Sequence, residues 1–263
     1  MNYSIIHQSL RGTFMQSFGK LATNFDHVYL IKHYIYINTK DDERNDIKIN
    51  KQELQKLLKK KSKNVAGTIF LYNPTVIPKG YNNDLNLEEQ GFRFDDTFYE
   101  LEMNEYTNIF SKTIKEPYRG KLIEIKYLFN FNKHNIEPTS VLEEFDADLD
   151  RYNSNQLTRY DKQLNYQDYL NISYNGKFVY FASGHKHDRH HKEIIKYAKN
   201  IALQTQKLGK EIVFTHDRNF DQEECIEEAY FLSPLASGKM RDIRFNAFEH
   251  AFKTNPPTIQ RLQ

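Results

Sequence analysis

Residues 177–214 carry the pattern that most restricts how this 263-residue chain can fold. Lys177-Phe178-Val179-Tyr180-Phe181 is a short run rich in β-forming residues and reads as a strand. A helix is expected from about 190 to 208, because Ile194, Ala198, Ile201, Ala202 and Leu208 recur on one face. Gly209 stands where a helix C′ residue belongs, and residues 211–214 form the next strand. Two strands joined through a connection of this length pair parallel, since a hairpin needs only a few residues. The C-terminal half is therefore expected to be α/β.

The N-terminal half reads differently. Residues 27–38 alternate polar and β-prone side chains and predict a strand. Asn50, with Glu53 three residues on, is a capping box opening a helix through Leu54, Leu57 and Leu58. Further strands are expected at 67–72, 92–102 and 121–131, and the Pro-, Gly- and Asn-rich segment 78–86 reads as a loop. Ser140 and Glu143 form a second capping box, with Leu142, Phe145, Leu149 and Tyr152 at helical spacing. A terminal helix carries Phe245, Phe248 and Phe252. The expected class is mixed α+β: a strand-rich half over 1–138, a helical and polar connector over 139–170, and an α/β half over 171–263. One continuous domain is the alternative.

Composition narrows the function classes. Hydrophobic residues make up 39% and charged residues 27%, the balance of a globular chain rather than a disordered one. Lys and Arg number 37 against 35 Asp and Glu, so the net charge of +2 argues against a nucleic-acid coat protein. A local basic patch remains compatible with an enzyme acting on nucleic acid. The single cysteine, Cys225, excludes an intramolecular disulfide framework and any zinc site needing two cysteines from one chain. Residues 1–20 have no continuous apolar region for a signal peptide, and no stretch approaches a spanning helix. The expectation is a cytoplasmic protein with no membrane partner.

Two clusters can carry chemistry. The first is Gly184-His185-Lys186-His187-Asp188-Arg189-His190-His191, at the strand-to-helix turn where α/β proteins tend to place their sites. Imidazole is the commonest metal ligand, and His216-Asp217 ends the next strand, so His185, His187, His216 and Asp217 form one candidate metal set. An exposed helix start capped by Asp188 would give the same letters. Ser183-Gly184-His185-Lys186-His187 resembles the Gly-His-x-His motif of calcineurin-like metallophosphoesterases, although that family's other motifs are missing here. The run 185–190 is similar to the His-x-His-x-Asp-His of metallo-β-lactamase-like hydrolases, but Arg189 stands where the Asp belongs.

The second cluster is Leu122-Ile123-Glu124-Ile125-Lys126-Tyr127, an apolar strand interrupted by Glu-x-Lys. Alternation puts Glu124 and Lys126 on one face, and a cross-strand charge pair is the plain reading of that spacing. The strand resembles the Glu-x-Lys half of PD-(D/E)xK nucleases. Residues 87–96, with Glu88, Glu89 and Asp96 ahead of it, follow that family's order, although no Pro precedes the Asp. The resemblance implies that Asp96 and Glu124 hold a divalent metal, Mg²⁺ or Mn²⁺, while Lys126 polarises the water or meets the leaving charge. Lys56, Lys59, Lys60 and Lys63 lie along one lysine-rich segment that can contact phosphates or can simply be solvated.

Segments of the second half also resemble a TIR domain: 178–189 and 209–217 match its first strands, and 231–234 with Glu249 match the later strand and catalytic Glu of NAD-cleaving members. Cys225 lies among Glu223, Glu224, Glu227 and Glu228, which disfavours a nucleophilic thiolate. Three functions follow as expectations. The leading one is a metal-dependent phosphodiester hydrolase, a nuclease acting through Asp96, Glu124 and Lys126. The second is a non-enzymatic inhibitor or adaptor binding another protein, suggested by the 18 tyrosines. The third is a histidine-centred metallohydrolase, with Zn²⁺ as its metal, or a TIR-like NAD-cleaving domain. Nucleic acid and protein both stand as partners, and the oligomeric state is open.

Overall fold

The computed structural model describes residues 15–24, 27–71, 93–94, 97–101, 109–110, 113–114, 118–127, 131–132, 175–182, 192–216, 231, 234 and 240–261. Its N-terminal hairpin joins β1 (Met15–Asn24) to β2 (His27–Ile37), antiparallel along their whole length with a bulge between Lys20 and Leu21. A small ribbon of β3 (Thr39–Lys40) and β4 (Asp46–Ile47) leads to α1 (Lys51–Leu58). The capping box forms as the spacing predicts: Asn50 accepts from the Gln52 and Glu53 amides, and Glu53 accepts from the Asn50 amide. A single turn, α2 (Lys61–Asn64), then feeds β5 (Val65–Leu71).

The chain continues through β6 (Arg93–Phe94), β7 (Tyr99–Glu100), β8 (Leu122–Tyr127) and β9 (Phe131–Asn132). The predicted parallel unit follows as β10 (Phe178–Phe181), α3 (Lys192–Lys207) and β11 (Glu211–His216). The last elements are α4 (Met240–Ala251) and β12 (Gln260–Arg261). The 139–170 connector and its capping box lie outside the described residues.

One mixed sheet of ten strands runs through both halves, in the order β12-β11-β10-β5-β8-β2-β1-β6, with β7 also on β1 and β9 on β2. From β12 to β8 the neighbours are parallel, and from β8 to β6 they are antiparallel. The α+β class is therefore what the fold shows. The parallel part begins in its interior at β5, adds β8 on one side, and then crosses to β10, β11 and β12 on the other. All five of these strands end at the same edge of the sheet.

Both faces are apolar, but differently built. One face packs Ile35, Ile69, Ile123, Ile125, Tyr180 and Val213 against Phe248 of α4 and Phe252 just after it. The other packs Tyr34, Tyr36, Val65 and Leu122 against Leu54 of α1, with Leu57 and Leu58 at the margin. α3 ends at Lys207, one residue before the expected end, and Leu208 is 54% exposed rather than on the buried stripe. The chain has already left the helix there: Gly209 sits at φ +72°, the left-handed turn that glycine adopts without strain. Thr205 takes the inward place instead, its hydroxyl donating to the Ile201 carbonyl at 2.7 Å.

The join between β5 and β10 is close. Phe178 is the register partner of Gly67, and a Cβ on Gly67 would meet the Phe178 ring at 2.4 Å. One residue before Lys177, Gly176 has φ +85°, and a Cβ there would meet the Ala66 and Gly67 backbone at 2.5–2.6 Å. Gly67→Ala is therefore expected to destabilise the fold by about 1–3 kcal/mol through overpacking. Gly176→Ala should cost at least as much, because backbone cannot rotate aside as a ring can. Urea unfolding midpoints check both; two unchanged midpoints would contradict this packing.

Candidate functional site

β8 lies between β5 and β2, so its side chains are flanked on both sides. Alternation places Glu124 and Lys126 on the face that α1 covers, and Ile123, Ile125 and Tyr127 on the face that α4 covers. Glu124 is in register with Tyr34 on β2 and with Thr68 on β5, while Lys126 is in register with Phe70. The site is thus made by three strands that are distant in sequence.

Lys126 Nζ stands 3.7 Å from Glu124 Oε1, and Tyr34 donates its hydroxyl to the same oxygen at 3.5 Å. Both partners are largely buried, with side chains 14% and 10% exposed for Lys126 and Glu124. Burial holds the Lys126 ammonium below the usual lysine range; Glu124 opposes that shift, and Lys61 adds to it. Burial, reinforced by the Glu124 charge and hydrogen bond, lifts the Tyr34 phenol well above its usual range. Lys61 of α2 lies over the Tyr34 ring at 5.7 Å, within the reach of a cation–π contact.

The other carboxylate oxygen is the informative one. Glu124 Oε2 is buried and has no hydrogen-bond partner among the described residues, and neither has Thr68 Oγ1 beside it. A buried, unsatisfied oxygen in a native fold calls for an explanation, and an ion or water is one. A carboxylate oxygen suits a hard divalent cation, so this residue fits the metal that the Glu-x-Lys resemblance implies. Among the described residues no group of three or more His, Cys, Asp or Glu converges. Glu124 is one ligand, not a complete set.

The lysine segment lies on the outside of the same cover. Leu54, Leu57 and Leu58 pack inward toward Tyr34, Tyr36 and Leu122. Lys56, Lys59, Lys60 and Lys63 are all exposed, and Lys61 is half-buried and turned toward Tyr34. The lysine-rich surface and the Glu-x-Lys strand therefore share one face of the sheet.

Asp96 lies outside the described residues. The strands flanking it, β6 and β7, both pair with β1, and β2 separates β1 from β8. His185, His187 and Asp217 are also outside the described residues. His216 is the last residue of β11, buried, with its ring 6.0 Å from that of Phe214. β10, the strand that precedes His185 and His187, ends on the same edge as His216.

The opposite face holds a polar chain that local sequence reading missed. Ser17 Oγ is 2.7 Å from His33 Nε2, and His33 Nδ1 is 2.6 Å from the Tyr127 hydroxyl, all three residues being buried. The only local signal is that His33 takes an inward place in the alternation His33, Ile35, Ile37. Burial pushes the His33 imidazole down to about 3, so it is neutral in the folded protein.

That shift has a definite sign. Below the ordinary histidine value of about 6.5 the unfolded chain takes up a proton that the folded chain does not. The stability involved is complete above pH 6.5 and is lost as pH falls toward 3, at roughly 1.4 kcal/mol per pH unit. Urea unfolding followed between pH 6.5 and 4.5 should lose about that much slope in a His33→Gln variant. Identical slopes would show that His33 is protonated in the fold. No known protein family, no curated protein and no solved structure matches this chain.

Proposed function

We propose that this protein is a metal-dependent phosphodiester hydrolase, a nuclease, whose site is centred on Glu124 and Lys126. The observation that carries the reading is the buried Glu124 Oε2, which has no hydrogen-bond partner among the described residues while Lys126 and Tyr34 engage Oε1. A buried ion pair is weak evidence for stability, because desolvation of both charges offsets their attraction. A carboxylate and an ammonium set side by side are instead what phosphodiester cleavage uses.

Glu124 would hold Mg²⁺ or Mn²⁺ through Oε2, with Asp96 proposed as the second carboxylate. Such a cation supplies Lewis-acid polarisation of the phosphate and a more acidic bound water. Lys126, held by Oε1, faces the charge that develops on the phosphoryl oxygens. Burial also brings its neutral form nearer to working pH, which suits proton transfer. Tyr34 fixes the carboxylate by donating to Oε1. Lys56, Lys59, Lys60 and Lys63 would bind backbone phosphates outside the site, a sequence-independent contact.

The Glu124→Gln variant keeps the shape and removes the charge. It is expected to lose at least about 100-fold in cleavage of a nucleic-acid substrate while keeping the wild-type circular dichroism spectrum. A folded Glu124→Gln protein with wild-type cleavage would rule out this assignment.

A further inference from the structure

We infer that Thr68 and Glu124 together form a single divalent-cation site, Thr68 Oγ1 and Glu124 Oε2 each supplying one oxygen. The cation's part in hydrolysis rests on the reading above; the site itself does not.

Three observations meet here. Thr68 is fully buried, and its hydroxyl has no hydrogen-bond partner among the described residues. Glu124 Oε2 has none either, although its own carboxylate is engaged at Oε1 by Lys126 and Tyr34. The two residues are register partners on the parallel strands β5 and β8, so they project from the same face, about 4.8 Å apart in the sheet. A direct hydrogen bond would satisfy both oxygens at once, and none forms. A cation lying between the two strands would take an electron pair from each oxygen and satisfy both.

The donor set selects its chemistry. One hydroxyl and one carboxylate are hard oxygen ligands, with no nitrogen or sulfur to favour Zn²⁺ or Cu²⁺. Mg²⁺ and Mn²⁺ take such ligands and keep several waters, so Thr68 and Glu124 can form the site with Asp96 or water completing the shell. Lys126 and Lys61 stand near, which makes the site weak in the absence of an anion and favours joint binding of cation and phosphate. Thr68 is a threonine in an otherwise apolar strand, Val65-Ala66-Gly67-Thr68-Ile69-Phe70-Leu71. A valine would fill the same volume without burying a hydroxyl.

The test uses the full chain and Mn²⁺. In wild-type protein, Mn²⁺ should broaden the amide resonances of Thr68 and Glu124 and their strand neighbours first. Mn²⁺ titration followed by electron paramagnetic resonance should show one saturable site, at least about 10-fold weaker in Thr68→Val. Thr68→Ser should bind within about threefold of wild type, and Glu124→Gln should show no saturable site. Broadening elsewhere in the wild-type protein, no saturable binding, or unchanged affinity in a folded Thr68→Val protein would overturn the proposal. If binding depends on Glu124 but not on Thr68, this site falls and the hydrolase reading stands. If binding depends on both and no nucleic acid is cleaved, the site stands and the hydrolase reading falls.

Discussion

The parallel pairing of β5 with both β8 and β10 is the interaction on which the rest of the molecule depends. It turns a strand-rich first half and an α/β second half into one sheet, and it does so across a long stretch of sequence. The contact is specific. Phe178 fits because Gly67 has no side chain, and the same ring meets Tyr118 edge-on at 6.2 Å and Phe252, just after α4, at 5.9 Å. Around it Tyr180, Phe248 and Phe252 pack with centroids 4.8–5.2 Å apart. A core built from phenylalanine and tyrosine, with no tryptophan in the chain, is thus concentrated where the two halves meet.

The same pairing builds the site. Thr68 stands in register with Glu124 only because β5 lies beside β8, and Tyr34 reaches that carboxylate only because β2 lies on the other side. β8 then carries two kinds of polarity on opposite faces. Toward α4, Tyr127 joins the Ser17–His33 chain, whose hydrogen-bonding groups are paired with one another. Toward α1, Glu124 and Lys126 form a pair that leaves one carboxylate oxygen unsatisfied. A fully paired buried network is a structural device, whereas a partly paired one is costly unless something else completes it. That contrast is why function is assigned to the second face and not to the first.

Much of this was legible locally, because local patterns report local structure. The Asn50–Glu53 capping box, the apolar face of α3, the turn at Gly209 and the shared face of Glu124 and Lys126 each follow from spacings of two to four residues. The long-range partners were not legible. Nothing around Thr68 tells that Glu124 is its register partner, and nothing around Asp96 tells that its flanking strands pair with β1 instead of β8. β1 escaped notice because Gln16, Ser17, Gly19 and Lys20 dilute its apolar signal. Gln16 and Ser17 are buried all the same, Gln16 bonding both backbone groups of Ile49 and Ser17 bonding His33. Polar residues satisfied by distant partners read as surface in a sequence and as core in a fold.

The most direct measurement is cleavage of duplex DNA, single-stranded DNA and RNA by wild-type protein, with Mg²⁺, with Mn²⁺, and with EDTA. The account predicts turnover of at least one substrate with Mg²⁺ or Mn²⁺ and none with EDTA. Absence of cleavage with either cation, or cleavage undiminished by EDTA, would contradict a metal-dependent hydrolase centred on Glu124.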